Sequence, residues 1–519
     1  MREALLQIAS DLEIRTDFDD RVRAEVARFV ADPGIDDPSL TDLTQLPFVT
    51  IDGPTSKDLD QALFVERAAD GYVVHYALAD AAHFVPISSA LFEEATLRGT
   101  SFYFPGMSIP MLPRELSEGL VSLNPQVRRR ALVFVCSLDA TGEVRRTDLV
   151  RARIESRAKL TFGGVQAYYD APTQSPLARE AFAPSLDLLR AVGEKRLALA
   201  ETADVVRYRR REIEVKLGGE QEGGFVVLEA ARLAVEMYNE QISLLVNREG
   251  GRLLAESHDP RLQPIYRVHP APDPDKLGTL RALTAGIARA HGLDPAVWAL
   301  HEEETLNAFL RKLPQGGATA RVAEAVERQA VLVNMRSAFS TEPARHFGVG
   351  AEVYARFSAP MREVVGVFLH KEMLELLSLE RPADNAVDEA LRARIVDAAN
   401  RARDVQRRIN DQTNRLVLDH LFAPDLAQRE RPARRGTVMG ITSSKVHVEL
   451  DSPGMDVKVY LRDLGRLRGG IWLDLTEDGA LLVERESRAP ICAVGDAVDI
   501  KVVDRDKGQD RWILDLHRA

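Results

Sequence analysis

The sequence predicts an α+β fold: a large mixed core, a small closed β-barrel after it and a short helical segment before it. Three observations carry this prediction. Residues from about 48 to 138 hold β-branched and aromatic runs of strand length, FVTID among them. From about 179 to 422 the apolar residues recur at helical spacing, interrupted by one hairpin through the glycine-rich turn LGGEQEGG. Beyond residue 430 short alternating segments crowd into fewer than ninety residues.

Taken in order, residues 3–12 place Leu5, Leu6, Ala9 and Leu12 at helical spacing, and residues 18–31 do the same with Val22, Val26, Phe29 and Val30. Two short helices are therefore expected over 1–40, with a helix-turn-helix as one reading. The loop ADPGIDDPSLTDLTQLP breaks the pattern, and a new domain over 41–430 begins at FVTID. Strands are expected at 48–52, 62–66, 72–79 and 131–138, ahead of the helical stretch, an α+β arrangement. The run ARDVQRRINDQTNRLVLDHLF ends in the break APDLAQRERPARR. Over 431–519 the segments GTVMGI, KVHVEL, VKVYL, ALLVE, AVGDAVDIKVVDRD and RWILDL are expected to supply a five-stranded barrel of the OB type.

Length and composition set the outer limits. A chain of 519 residues holds two to four folding units and at least one large core. With 45% hydrophobic and 28% charged residues it is too apolar to be mainly disordered. Cys136 and Cys492, the two cysteines, form neither a metal knuckle nor a disulfide framework, so a reducing cytoplasm is expected. The N-terminal MREALLQIASDLEI mixes charges of both signs into its apolar stretch, and no run approaches the roughly 18 apolar residues of a membrane span, so no membrane association is expected. A net charge of −11 looks wrong for a nucleic-acid binder. Arginines nevertheless cluster at 128–130, at Arg207 and 209–211, and at Arg431, Arg434 and Arg435, so a basic channel inside an acidic body stands beside the plainer reading of solvated faces.

The segment TIDGPTSKDLDQAL places Asp52 at the end of a strand, then Asp58 and Asp60 between a Gly-Pro turn and the next strand. In extended backbone Asp58 and Asp60 share a face, and the turn brings Asp52 back toward them. Three crowded carboxylates repel one another unless a cation lies among them. Oxygen ligands without Cys or His suit Mg2+ or Mn2+, and paired ions of this kind serve in-line displacement at phosphorus. An Asp-rich surface turn is the plain alternative. Other chemistries leave less trace: the chain has no GxxxxGK[ST] loop and no GxSxG elbow, and His301 in HEEE lacks the second histidine of a zinc helix.

From this loop onward the sequence resembles the RNase II/RNase R (RNB) family, whose strand and loop read TID, a short turn, then DxDD. The likeness continues through ALADAAHFV (77–85), RGTSFYFPGMSIPMLPRELSEGLVSLNP (98–125), ARIESRAKLTF (152–162), YRVHPAPDPDKL (266–277) and STEPARHFGVGAEVYARFSAPMR (340–362), over about 45–422. The ending, with GxV first and VGDxVxxKVxxxD near its close, resembles the S-one RNA-binding domain; a barrel of unrelated use is the bland alternative.

The resemblance implies an RNB catalytic domain over 41–430, which threads single-stranded RNA and releases nucleoside 5′-monophosphates processively from the 3′ end, followed by an S-one-type OB-fold domain over 431–519. It implies that Asp52, Asp58, Asp60 and Gln61, the last in the place of a fourth carboxylate, hold Mg2+ or alternatively Mn2+. Asp58, Asp60 and Arg362 carry catalysis on this reading, and the planar fork of Arg362 contacts the scissile phosphate. Tyr103, in SFYFP, stacks at the 3′ end. Glu240 falls where the family keeps an acid near the terminal ribose, and His346, Phe347 and Tyr354 shape the channel floor. A monomer acting on single-stranded RNA in the cytoplasm is expected.

Several positions depart from the family pattern. Gln61 keeps a carbonyl oxygen but removes a negative charge, which lowers affinity for a second ion and leaves open a catalytically impaired RNA-binding protein as the alternative function. Glu363, Val364 and Gly366 replace a basic, aromatic and acidic run after Arg362. Near Glu214 to Lys216, where an aromatic partner for Tyr103 is expected, stands Val215. Only about 45 residues precede FVTID, so the family's two cold-shock barrels are expected to be missing, with the channel entrance open or covered by the two helices. A third reading, a metal-dependent phosphohydrolase of small molecules, leaves the terminal barrel unexplained.

Overall fold

In the computed structural model the described residues are 1–203, 205–206, 212–218, 224–230, 232–380 and 385–519. The arginine cluster at 207 and 209–211 and the tip of the glycine-rich hairpin lie outside them. Two helices open the chain as the spacing predicts, α1 (Arg2–Asp11) and α2 (Asp20–Ala31), the second capped by Asp19, whose carboxylate accepts from the Val22 amide.

The centre of the molecule is a seven-stranded mixed sheet. Its strands are β1 (Thr41–Asp42), β2 (Val49–Asp52), β3 (Gln61–Ala68), β4 (Gly71–Ala79), β7 (Arg128–Asp139), β8 (Val144–Glu155) and β9 (Ala158–Thr161); a separate short hairpin, β5 (Phe102–Phe104) and β6 (Met107–Ile109), lies between β4 and β7 in the chain. The spatial order is β1-β8-β7-β4-β3-β2-β9, with β1–β8 and β2–β9 parallel and the remaining pairs antiparallel. The sheet shares one core with helices α3 (Ala90–Arg98), α4 (Ala183–Thr202), α5 (Ala234–Glu256) and α6 (Val364–Leu376). Helix α6 is buried on every side from Val364 to Glu375, as a helix apolar around most of its circumference must be.

The expected strands over 48–52, 62–66, 72–79 and 131–138 are present. Strands β8 and β9 and the β5–β6 hairpin were not foreseen: β8 carries four arginines, and β5, β6 and β9 are only three or four residues long; pairing with β7 and β2 selects the extended backbone in β8 and β9. Two of the arginine clusters hold the fold together. Arg130 is buried, donating to Asp80 and Asp37 at 3.2 Å each, and Arg129 donates to the carbonyls of Ser122 and Gly119. Arg434 pairs with Asp425, and Arg431 donates to the Val502 carbonyl.

The expected hairpin forms from β10 (Glu212–Leu217) and β11 (Phe225–Ala230), and a two-stranded ribbon from β12 (Tyr266–Val268) and β13 (Ala338–Ser340). Helix α7 (Asn385–Ala427) then runs past the break expected after Phe422, with Pro424 inside it. A proline there costs about 3 kcal/mol, and burial of Phe422 with part of Leu426 against the terminal barrel offsets it.

That barrel consists of β14 (Arg434–Ile441), β15 (Lys445–Leu450), β16 (Asp456–Tyr460), β20 (Ala497–Asp506) and β21 (Arg511–Arg518), in the order β16-β15-β14-β20-β21, with the two edge strands in contact. The five-stranded expectation holds, but ALLVE falls outside it. That segment is β18 (Leu481–Glu484), the middle of a side sheet between β17 (Leu473–Leu475) and β19 (Pro490–Ala493). Among the described residues no helix is long and apolar enough to cross a membrane.

Candidate active site

Strand β2 ends at Asp52, a turn follows, and β3 begins at Gln61, so the acidic loop spans the gap between two neighbouring strands. Three bonds pin its second half. The Leu59 amide donates to Ser122 Oγ (3.0 Å), the Ser122 hydroxyl donates to the Lys57 carbonyl (2.8 Å), and the Leu123 amide donates to the Leu59 carbonyl (3.0 Å). Lys159 on β9 donates to the carbonyls of Pro54 and Ser56 and so holds the turn itself.

Asp60 is 2% exposed. Its Oδ1 accepts from the Met361 amide (3.0 Å) and its Oδ2 from Arg362 Nε (2.5 Å). Burial holds the Asp60 carboxyl above the usual carboxylate range despite the Arg362 charge, and Asp60 in turn raises the guanidinium. Asp52 is pushed up to about 7, first by burial and then by the charges of Asp60 and Asp58, against the opposing pull of Arg362. Its buried Oδ2 has no hydrogen-bond partner among the described residues. Asp58 is half-buried on the loop, and its negative charge reaches both other acids. A lone buried oxygen within an all-oxygen donor set fits a hard divalent cation. The three carboxylates are nevertheless not drawn tightly together: among the described residues the one acidic trio whose ligand atoms lie within 4.8 Å of one another is Glu372, Glu375 and Asp388. That trio is filled by the Lys371 ammonium, which bonds Glu372 (2.8 Å), Glu375 (2.9 Å) and Asp388.

Gln61 Oε1 accepts from the Tyr76 hydroxyl, which also lies 3.3 Å from Ser243 Oγ on α5. The carbonyl oxygen expected to face a metal is thus already engaged. Tyr103 projects from β5 with 45% of its surface exposed, and its phenol lies beside the Arg362 guanidinium. The amide of Ser101 and the hydroxyl of Thr100 both donate to the Arg362 carbonyl (2.9 and 2.8 Å), which ties this strand to the arginine loop. Gly366 lets that loop close: a Cβ there would sit 2.8 Å from Pro360 Cα. Glu363 pairs with Arg356 at 2.8 Å, so that arginine is neutralised within the protein.

The remaining predicted residues lie on other elements. Glu240 pairs with Arg232 (2.8 Å) and lines a cavity of about 900 Å3 with Arg196, Arg248 and Arg311; it lies one helical turn from Ser243. His346 lines a second cavity, of about 1010 Å3, with His269, Lys276, Arg336 and Arg403. Burial and the neighbouring His269 and Arg267 push its imidazole down to about 4. Tyr354 is buried, its ring 5.1 Å from that of His346, and its hydroxyl accepts from Asn247 (3.0 Å). Phe347 packs against the apolar cluster around Leu310 and Val326. Leu217 of β10, close to Val215, joins the apolar cluster beneath Phe102 and Phe104. Tyr76, Lys159 and Ser122 were missed because each reaches the site through pairing between distant strands or loops, which no local pattern encodes.

Fold and site together define a class: a protein with acidic oxygen ligands and one guanidinium at an edge region of a mixed sheet, and an OB-type barrel joined to it by a long helix. The chain belongs to the RNB family; the model described as RNB domain matches residues 40–378. The chain is 30% identical over 449 residues to Exoribonuclease 2 of Klebsiella pneumoniae, which covers 85% of this chain and 62% of that protein. It is 28% identical over 481 residues to Ribonuclease R of Vibrio parahaemolyticus, covering 89% of this chain and 54% of that one. Thus it spans between half and two thirds of the length of these relatives. Mycoplasma genitalium RNase R, solved in complex with ribose methylated single-stranded RNA, superposes with a TM-score of 0.86 at 22% identity, over 99% of this chain and 77% of its own.

Proposed function

We propose that the protein is a hydrolytic 3′-to-5′ exoribonuclease that degrades single-stranded RNA processively to nucleoside 5′-monophosphates. Support comes from the RNB match, from relatives named Exoribonuclease 2 and Ribonuclease R, and from one observation above all: Asp52, Asp60 and Arg362 converge beside an exposed aromatic residue. Division into segments 1–40, 41–430 and 431–519, a monomeric state and a cytoplasmic location belong to the same proposal.

Asp52, Asp58 and Asp60 would hold Mg2+ or Mn2+, with Gln61 at the fourth position; when bound, the cation supplies Lewis-acid stabilisation of the phosphate and a more acidic water. The chain's own residues do the rest. Asp60 fixes Arg362 through Nε, and the terminal guanidinium nitrogens, beside the Tyr103 phenol, are offered to phosphate oxygens. Tyr103 offers a stacking surface worth about 1 to 3 kcal/mol to the terminal base, whatever its identity. Glu240 and His346, on the walls of the two neighbouring cavities, meet the ribose and the strand behind it. The terminal barrel adds a second RNA-binding surface.

A 5′-labelled single-stranded RNA with Mg2+ or Mn2+ tests this reading. Full-length strand giving way to a short 5′-labelled end product with few intermediates, and to mononucleotide when the RNA is labelled throughout, is expected; internal cuts, a ladder of intermediates or an intact strand overturn it. The second reading, an RNA-binding protein without cleavage, is favoured by the Tyr76 hydroxyl on Gln61 Oε1. Retention of the RNA with no product in either metal would establish it.

A further inference from the structure

The helices that open the chain contribute no residue to the site, yet α1 rests against it from behind. Side chains on β5 alternate: Phe102 and Phe104 are buried, while Tyr103 between them faces out. The underside of this hairpin, formed by Phe102, Phe104 and Ile109, joins Leu5, Ile8, Ala9 and Leu12 from the α1 segment and Ala402 and Ile409 of α7 in one apolar cluster. All buried residues of α1 lie in this cluster, so the helix has no other core.

A second, polar link reaches the same hairpin. Buried Arg98 donates to the carbonyls of Arg15 (2.8 Å) and Asp17 (2.7 Å), just beyond α1, and to that of Pro110 (3.1 Å), just beyond β6. On the outer side, the amide and carbonyl of Tyr103 both bond Gln406 of α7 at 2.9 Å. The hairpin's edges are therefore fixed by α7 and the arginine loop. Its two phenylalanines rest on the apolar layer that α1 shares with α7.

We infer that α1 is a positioning element for Tyr103: Leu5 and Ile8 act through Phe102 and Phe104 to hold the phenol where the 3′-terminal base stacks. This rests on the role given to Tyr103 above. Truncating either residue opens a cavity into which a phenylalanine relaxes, and the strand passes that shift to the side chain on its other face.

The test uses the full chain in EDTA, with single-stranded RNA carrying 2-aminopurine as its 3′-terminal base. Wild type quenches the fluorescence and Tyr103→Ala does not. A Leu5→Ala, Ile8→Ala double variant is expected to lose at least half of the quenching and, with metal restored, to raise KM about fivefold or more while kcat stays within about twofold. A Leu5→Met, Ile8→Leu variant, which refills the layer, keeps both near wild type. Val22→Ala, in α2 and buried in the main core, lowers thermal stability and changes neither readout. Should the double variant not fold, Leu5→Val and Ile8→Val give the same shifts in smaller steps. Unchanged quenching and KM in folded α1 variants, or an equal effect of Val22→Ala, overturns the inference. Quenching that survives Tyr103→Ala overturns instead the stacking role on which it rests.

Discussion

Removing the Arg362 guanidinium separates two things that the side chain does at once. In Arg362→Ala the Asp60 carboxylate stays buried and keeps the Met361 amide at 3.0 Å but loses its counter-ion at 2.5 Å. Breaking a fully buried pair costs about 3 to 5 kcal/mol; because the Arg362 side chain is 39% exposed, the expected loss is about 2 kcal/mol. Cleavage should fall about 10²- to 10³-fold, the usual effect of deleting one preorganised donor to a developing charge. Arg362→Lys discriminates between the two roles. An ammonium restores charge beside Asp60 and most of the stability, but one compact head group cannot hold Asp60 and a phosphate together as the planar fork does, so cleavage stays low. Urea unfolding followed by circular dichroism reads the first quantity, and single-turnover cleavage of end-labelled RNA the second. Recovery of both by lysine, or an alanine variant that loses activity at undiminished stability, would refute the reasoning.

Other perturbations test other parts of the molecule. Burial pushes His370 down to about 4, so its contribution to stability is present above the unfolded value near 6.5 and is lost as the pH falls toward 4; urea unfolding should show that His370→Gln removes about 2 kcal/mol of the stability change between pH 7.5 and 5. Lys371→Met leaves Glu372, Glu375 and Asp388 without their internal cation and should cost about 3 to 5 kcal/mol, part of which millimolar Ca2+ restores in a thermal melt. Gln61→Glu returns a negative charge to the fourth position and should lower the Mn2+ concentration for half-maximal cleavage several-fold; an unchanged value would mean that this position does not meet the ion.

Much of the fold was legible because local rules and tertiary packing agree. The β-branched and aromatic runs of β2, β3, β4 and β7 match strands buried on both faces along much of their length, and the period of α1 and α2 follows from burying one face. Strand β8 was not legible: it carries Arg145, Arg146, Arg151 and Arg153, and the Asp80 carboxylate that receives Arg151 at 2.7 Å lies far away in sequence. Helix α7 ran past Pro424 because the barrel it packs against outweighs a local breaker. In the site, the acids and Arg362 were readable from spacing and family likeness. Their distances were not, nor was the hold of Tyr76 on Gln61, since these follow from a cross-strand geometry that only the folded sheet creates.

The central claim is that Asp52, Asp58 and Asp60 gather divalent cations at the scissile phosphate. Mn2+ titration followed by electron paramagnetic resonance, run beside cleavage on wild type and Asp52→Asn, tests it most directly. The account predicts that binding weakens at least about tenfold in the variant and that cleavage falls in step with the lost occupancy. Cleavage that persists in EDTA, or Mn2+ binding indifferent to Asp52, would contradict it.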